Sequence, residues 1–167
     1  MVDYINIIEL KTSVLLAGAV SIGAVLGGAS EEDCRKLNRF ALELGLAFQL
    51  QDDLLDSYGD EKELGKKIGG DILEGKKTFL MMQAMSHADE SQREILRSTY
   101  KDESLSEQEK ISRVKAVYDA LDIRRMTEQQ ISTRFERAIS ILDSLSVGAE
   151  AVAEMREFAL SLIGRTK

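Results

Sequence analysis

The sequence predicts an all-α fold, a bundle of long antiparallel helices, on three observations. There is no proline in 167 residues. At an average usage of ~5% about eight would be expected, so uninterrupted helices are favoured over a loop-rich sheet protein. Hydrophobic residues make up 44% of the chain and aromatic residues only 5%, the composition of helices packed through Leu, Ile, Val and Ala. Apolar residues also recur at three- and four-residue intervals, the period of an amphipathic helix.

The first helix is predicted over about 3–26, stopping at Gly27-Gly28, where glycine suits a left-handed C-terminal residue. Ser30 with Asp33 three residues on resembles a capping box and starts a second helix that runs to about Tyr58. Residues 59–70 (GDEKELGKKIGG) are charged and punctuated by glycine, and are predicted as a non-helical loop. A third helix is predicted over 77–86, and the pairs Ser91/Glu94 and Ser106/Glu109 announce two more. Ile111, Val114, Val117 and Leu121 then form one apolar face. Ile131, Phe135, Ala138, Leu142 and Leu145 form another, and Val152, Met155, Phe158/Ala159 and Leu162 a third, separated from the second by Val147-Gly148. These last helices carry packing and no chemistry. No repeat, low-complexity tract or linker interrupts the chain, so 1–167 reads as part of a single domain.

Composition excludes several function classes. The net charge of −7 argues against a nucleic-acid surface. One cysteine, Cys34 on the predicted apolar face, gives no disulfide and no thiolate metal site, and fits a reducing, cytoplasmic setting. The one histidine, His87, lies in a polar stretch and is expected at the surface, which leaves little room for histidine catalysis or zinc. Residues 14–29 carry no charge, yet fall short of the ~18–20 residues a membrane span needs. They are rich in Ala, Gly and Ser, which suits close helix packing in an interior, and no membrane span is expected.

The chemistry concentrates in Gly45-Leu46-Ala47-Phe48-Gln49-Leu50-Gln51-Asp52-Asp53-Leu54-Leu55-Asp56. At 3.6 residues per turn Gly45, Gln49, Asp52 and Asp56 lie within roughly a 60° arc, with Asp53 beside them. Leu42, Leu46, Leu50 and Leu54 make the opposite side apolar, so the helix belongs in an interior. Carboxylates there cost several kcal/mol each, by order of magnitude, unless positive charge faces them. No basic residue on this helix is placed to supply it. Lys11-Thr12, Lys66-Lys67 and the segment Gly69-Gly70-Asp71 to Gly75-Lys76-Lys77-Thr78 are the candidates. Magnesium takes oxygen ligands and is typically held by one or two carboxylates plus substrate phosphates. Helical aspartates facing lysines from a flexible segment would therefore clamp a diphosphate leaving group.

Tyr4…Lys11-Thr12, then Gly45-x-x-Phe48-Gln49-x-x-Asp52-Asp53-x-x-Asp56, then Gly65-Lys66…Gly69-Gly70-Asp71…Gly75-Lys76-x-Thr78 resembles the C-terminal part of a trans-isoprenyl diphosphate synthase. This is the farnesyl and geranylgeranyl diphosphate synthase, or polyprenyl synthetase, family. The resemblance implies an isoprenoid-synthase-type helical bundle and a magnesium-dependent prenyltransferase. It implies that Asp52, Asp53 and Asp56 form the second aspartate-rich motif and bind metal. Lys11, Lys66 and Lys76 would contact the allylic diphosphate, with Lys67 placed to share the role of Lys66. Thr12 and Gln49 would turn oxygen dipoles toward the allylic cation.

The family's first aspartate-rich motif and its isopentenyl diphosphate site are absent from the sequence, so the chain looks like roughly the second half of a synthase. Isopentenyl diphosphate would bind only together with the N-terminal half, and condensation by this chain alone is not expected. The exposed inner faces of the first two helices would drive self-association or pairing with that half. The resemblance also implies a homo-oligomer. A terpene cyclase also carries a DDxxD helix but not this lysine set. The alternative from another class is a non-catalytic helical subunit or scaffold derived from the family.

Overall fold

The computed structural model of the chain describes residues 2–65 and 67–163. Every regular element among them is helical, as composition and periodicity predict. The first helix is a column in three parts: α1 (Val2–Ile8), a π turn (Glu9–Ser13) and α2 (Val14–Leu26). A long α3 (Glu31–Tyr58) follows, then two single turns, α4 (Glu61–Leu64) and α5 (Gly70–Leu73). The chain continues as α6 (Phe79–His87), α7 (Glu90–Ser98), a 3-10 turn (Thr99–Lys101), α8 (Glu107–Ala120) and α9 (Ile123–Asp143). A second 3-10 turn (Ala149–Val152) leads into α10 (Ala153–Ile163). The described residues fall into two compact units, one formed by 2–51 with those from 130 onward, the other by 52–129. α3 contributes to both.

The core of the first unit is built from Ala17 and Ala24 of α2, Leu37, Phe40, Ala41 and Leu44 of α3, Ala138 and Leu142 of α9, and Ala159 of α10. Cys34 packs half-buried at its margin, where the apolar register places it. Of the Phe158/Ala159 pair, Ala159 takes the inward position and Phe158 is exposed. A half-buried ion pair, Arg134 to Glu43 at 2.8 Å, ties α9 to α3.

The predicted cap of α3 is present and does more than start a helix. Ser30 Oγ accepts the Asp33 backbone N–H at 3.1 Å, and Ser30 donates its hydroxyl to Asp33 Oδ2 at 3.0 Å. Asp33 also accepts the backbone N–H of Ser146 at 3.1 Å and the Ser146 hydroxyl. The carboxylate thus joins the start of α3 to the turn after α9. The two Ser146 donors hold its pKa below the usual carboxylate value, with Ser30 adding to them. A carboxyl with a depressed folded-state pKa stabilises the fold above its unfolded value of about 3.9 and loses that contribution as pH falls through the folded value. Acid unfolding followed by circular dichroism is therefore expected to begin at higher pH than in Asp33→Asn, relative to each protein's neutral stability. Parallel acid transitions in the two would contradict this.

In the second unit α8 packs against α5, α6 and α7, with Leu80, Ala84, Leu96, Val114, Tyr118 and Ile123 buried. The predicted box at Ser106/Glu109 caps α8. Two expectations fail here. The helix announced by Ser91/Glu94 is instead capped two residues earlier, by Asp89 with Gln92. Aspartate at 89 offers the same acceptor at the point where the chain leaves α6 in extended backbone. The stretch 59–70 is also not wholly irregular. Asp60 accepts the Lys62 N–H at 2.7 Å and starts α4, which Gly65 ends at φ 65°, so a cap and a glycine stop bracket one turn. His87 is exposed, as expected from its polar surroundings.

Candidate active site

The aspartate helix has the predicted apolar back: Leu46, Leu50 and Leu54 are buried and Leu42 is partly so. Its acidic face divides. Asp53 is 5% exposed and Asp56 8%, whereas Asp52 is open to solvent. The expectation that all three carboxylates turn inward is thus corrected at Asp52, which the register places at the rim of the helix's covered face. Asp53 Oδ2 accepts the Phe79 backbone N–H at 3.4 Å, at the first turn of α6. Asp56 Oδ2 accepts the Asp71 N–H at 2.9 Å, and its own carbonyl accepts the Gly69 N–H.

Gly69 makes this turn possible: it sits at φ 83°, where a Cβ would meet Ile111 Cδ1 at 2.5 Å. A Cβ on Gly70 would lie in ordinary contact, 3.5 Å from Asp56 Oδ1.

Lys76 is tethered beside it. Its ammonium donates to Asp71 Oδ1 at 2.8 Å and pairs with Glu74 at 3.0 Å. Hydrogen bonds to Asp71 and then Glu74 raise the lysine pKa above its ordinary value, so it is a full positive charge at neutral pH. Tyr118 lies buried in the same unit, its hydroxyl held protonated first by burial and then by the charges of Asp71 and Asp53. Asp71, to which sequence reasoning assigns no role, links Asp56 to Lys76. Its signal is the Gly-Gly-Asp turn with lysine five residues on, which places one backbone N–H and one carboxylate between the aspartate helix and Lys76. Lys66 lies outside the described residues.

The other predicted residues belong to the first unit. Lys11 and Thr12 sit within the π turn, in place of the unbroken α-helix that the sequence predicts. Such a turn widens the helix by one residue and redirects the side chains it carries. Its seat is the close approach of Ser13 to α3: a Cβ added to Gly45 would lie 2.8 Å from Ser13 Cα and 2.7 Å from its Oγ. Gly45→Ala, which would gain about 1 kcal/mol in an ordinary helix interior, is therefore expected to destabilise by about 1–3 kcal/mol through overpacking. Urea unfolding measures the sign. Thr12 donates its hydroxyl to Gln49 Oε1 at 3.0 Å, which leaves the lone pairs of the Thr12 oxygen for a positive partner. Thr12, Leu16, Gly45, Phe48 and Leu162 line an apolar cavity of about 200 Å3. Lys11 is exposed.

Among the described residues no three His, Cys, Asp or Glu side chains gather closely enough to hold a metal ion.

The polyprenyl synthetase family model matches residues 1–121. The chain belongs to the polyprenyl synthetase family. A short chain isoprenyl diphosphate synthase of Methanocaldococcus jannaschii is 44% identical over 112 residues, covering 64% of this chain and 34% of that protein. The solved structure of a geranylgeranyl pyrophosphate synthase superposes with a TM-score of 0.87 at 32% identity, over 98% of this chain and 51% of that one. Another family structure, a geranylgeranyl pyrophosphate synthase from Corynebacterium glutamicum complexed with isoprenyl diphosphate and magnesium, is 30% identical at a TM-score of 0.76. It is covered to 40% by 86% of this chain. The chain thus spans about half the length, or less, of these family members, and its all-helical architecture is theirs.

Proposed function

We propose that this chain supplies the second aspartate-rich magnesium site and the allylic-diphosphate contacts of an isoprenyl diphosphate synthase. The reading is carried by the arrangement around Asp56: a solvent-facing Asp52 one turn away, a backbone N–H donor from the glycine turn, and a charged lysine held by Asp71. The family structure complexed with isoprenyl diphosphate and magnesium supports it.

Asp52 and Asp56 would hold magnesium, with Asp53 fixing the helix beneath them. Their fit rests on the chemistry of the donor set, since this cation binds through one or two carboxylates, substrate phosphates and retained waters and needs no all-protein cage. When bound, the cation offsets negative charge on the diphosphate. By the family resemblance, Lys11, Lys66 and Lys76 would bring further positive charge to that group, and the Thr12 and Gln49 oxygens would serve the allylic carbon as it becomes cationic. In the condensation the allylic C–O bond breaks and its electron pair leaves with the diphosphate. The isopentenyl double bond then forms the new C–C bond, and the resulting cation loses a proton to the departed diphosphate. Isopentenyl diphosphate is assigned to the half of the synthase fold outside this chain.

Purified alone and supplied with magnesium, dimethylallyl diphosphate and isopentenyl diphosphate, the chain is expected to form no condensation product. Steady turnover, measured by diphosphate release, would refute the division of sites. A non-catalytic scaffold is distinguished by magnesium-dependent bisphosphonate binding, which it would lack.

A further inference from the structure

A groove between α3 and α9, within the first unit, gathers positive charge that the chain itself does not offset. Lys36, Arg39 and Glu43 of α3 and Arg137, Ser140 and Ile141 of α9 line it, around a volume of about 390 Å3. That is within the size range of small-molecule sites. The two helices run antiparallel along it and are riveted at both ends. Arg134 donates to Glu43 at 2.8 Å, and Lys36 donates to the Ser144 carbonyl at 2.8 Å. Spacing sets the rest. Lys36, Arg39 and Glu43 follow one another at three- and four-residue intervals on one face of α3, and Arg134, Arg137 and Ile141 do the same on α9. Arg39 and Arg137 therefore enter the same stretch of groove, one from each helix, between the two rivets.

Charge balance distinguishes this groove from an ordinary solvated face. The chain has a net charge of −7, and most of its described arginines pair with carboxylates, as Arg35 does with Glu31, Arg124 with Glu128 and Arg156 with Asp143. Among the described residues Arg39, Arg137 and the Ser140 side chain have no hydrogen bond or ion pair. Glu43, the one carboxylate on the groove walls, is already engaged by Arg134. Glu136 adjoins Arg137 in sequence but lies round the helix, beside Phe135 and Ile139. Lys36 is held at the rim by Glu32 at 2.9 Å. A cleft lined by one sign of charge concentrates the opposite ion.

We infer that this groove binds an anion with two linked phosphoryl groups, directly and without a metal ion. Each guanidinium is a planar fork that takes two oxygens of one phosphoryl group, so forks from opposite walls match a pair of such groups. The Ser140 hydroxyl adds a neutral donor and Lys36 a point charge at one end. Such groups come from free diphosphate or from the headgroups of an anionic membrane. The groove uses none of the residues of the proposed function, whose capture of diphosphate is expected to need magnesium.

The test titrates the 167-residue chain calorimetrically with inorganic diphosphate in the presence of EDTA, at low ionic strength where such contacts are least screened. Saturable binding is expected. Arg39→Ala with Arg137→Ala should weaken it about 100-fold, roughly tenfold for each guanidinium. Arg113→Ala, an exposed arginine of α8 in the other unit, should leave it unchanged. Because Arg39 and Arg137 are exposed, the double variant should melt no lower than the parent. Without magnesium, diphosphate should raise the melting temperature of the parent and not that of the double variant. Flotation with phosphatidylcholine vesicles, with and without phosphatidylglycerol, separates the sources. Binding in solution assigns a free anion, and arginine-dependent binding to phosphatidylglycerol vesicles alone assigns the headgroup. The inference is overturned if neither binds, if the double variant binds as the parent does, or if Arg113→Ala loses as much, which would reduce the effect to net charge. Loss of magnesium-dependent binding alone overturns the functional reading and leaves the groove standing.

Discussion

Asp52→Ala is expected to abolish most magnesium-dependent diphosphate binding while leaving the fold intact. Asp52 is exposed, so its removal opens no cavity, and surface changes of this kind usually stay within about 0.5 kcal/mol of neutral. Its proposed role is direct metal ligation. Losing even an outer-sphere partner of a metal site typically costs about 10–100-fold in affinity, and loss of a direct ligand should cost no less. Asp56→Ala separates the two consequences. It removes the same class of ligand but also leaves the Asp71 N–H without its carboxylate acceptor, which adds a stability loss of about 1–3 kcal/mol. Calorimetric titration with methylene bisphosphonate and magnesium, alongside thermal melts, should show Asp52→Ala defective in binding alone and Asp56→Ala in both. Wild-type affinity in Asp52→Ala would remove it from the site.

The second large effect is expected at the Asp71–Lys76 pair. Lys76 is 52% exposed at its side chain, so the ion pair is screened and adds little to stability. Its value lies in placing the ammonium for a charge-assisted contact with phosphate oxygen, worth about 1.5–3 kcal/mol and hence on the order of tenfold to a hundredfold in affinity. Lys76→Ala should lose that factor. Asp71→Ala should lose a substantial part of it through the unanchored lysine, and the double variant should bind no more weakly than Lys76→Ala. Such non-additivity marks a positioning residue, whereas additive losses would mean that Asp71 and Lys76 act separately. Melting temperatures of all three should stay near that of the parent.

Much of this is legible in the sequence for simple reasons. Proline-free, aromatic-poor helices announce themselves by period, and the ends at Gly27 and Ser30 carry explicit stop and start chemistry. The aspartate, lysine and glycine spacing is specific enough to name the family by itself. What is not legible depends on tertiary approach. The π turn at Lys11-Thr12 arises where Ser13 meets Gly45, residues 32 positions apart in the chain, and no local propensity encodes it. The outward turn of Asp52 follows from which side of α3 is covered, something helical period gives only to within a residue or so. Asp71 stays hidden because aspartate after a glycine pair reads as turn chemistry until its N–H is seen on Asp56. The cap at Asp89 escapes notice because Ser91/Glu94 fits the same pattern two residues later, and local sequence alone does not choose between two nearby acceptors.

Capture of a diphosphate through magnesium by these carboxylates and lysines is open to direct test. The 167-residue chain would be titrated into a non-ionisable thiolo analogue of dimethylallyl diphosphate and followed by phosphorus NMR. Shifts that saturate with protein only when magnesium is present, and that vanish in Asp52→Ala, are expected. Shifts independent of magnesium, or unchanged in Asp52→Ala, would contradict it.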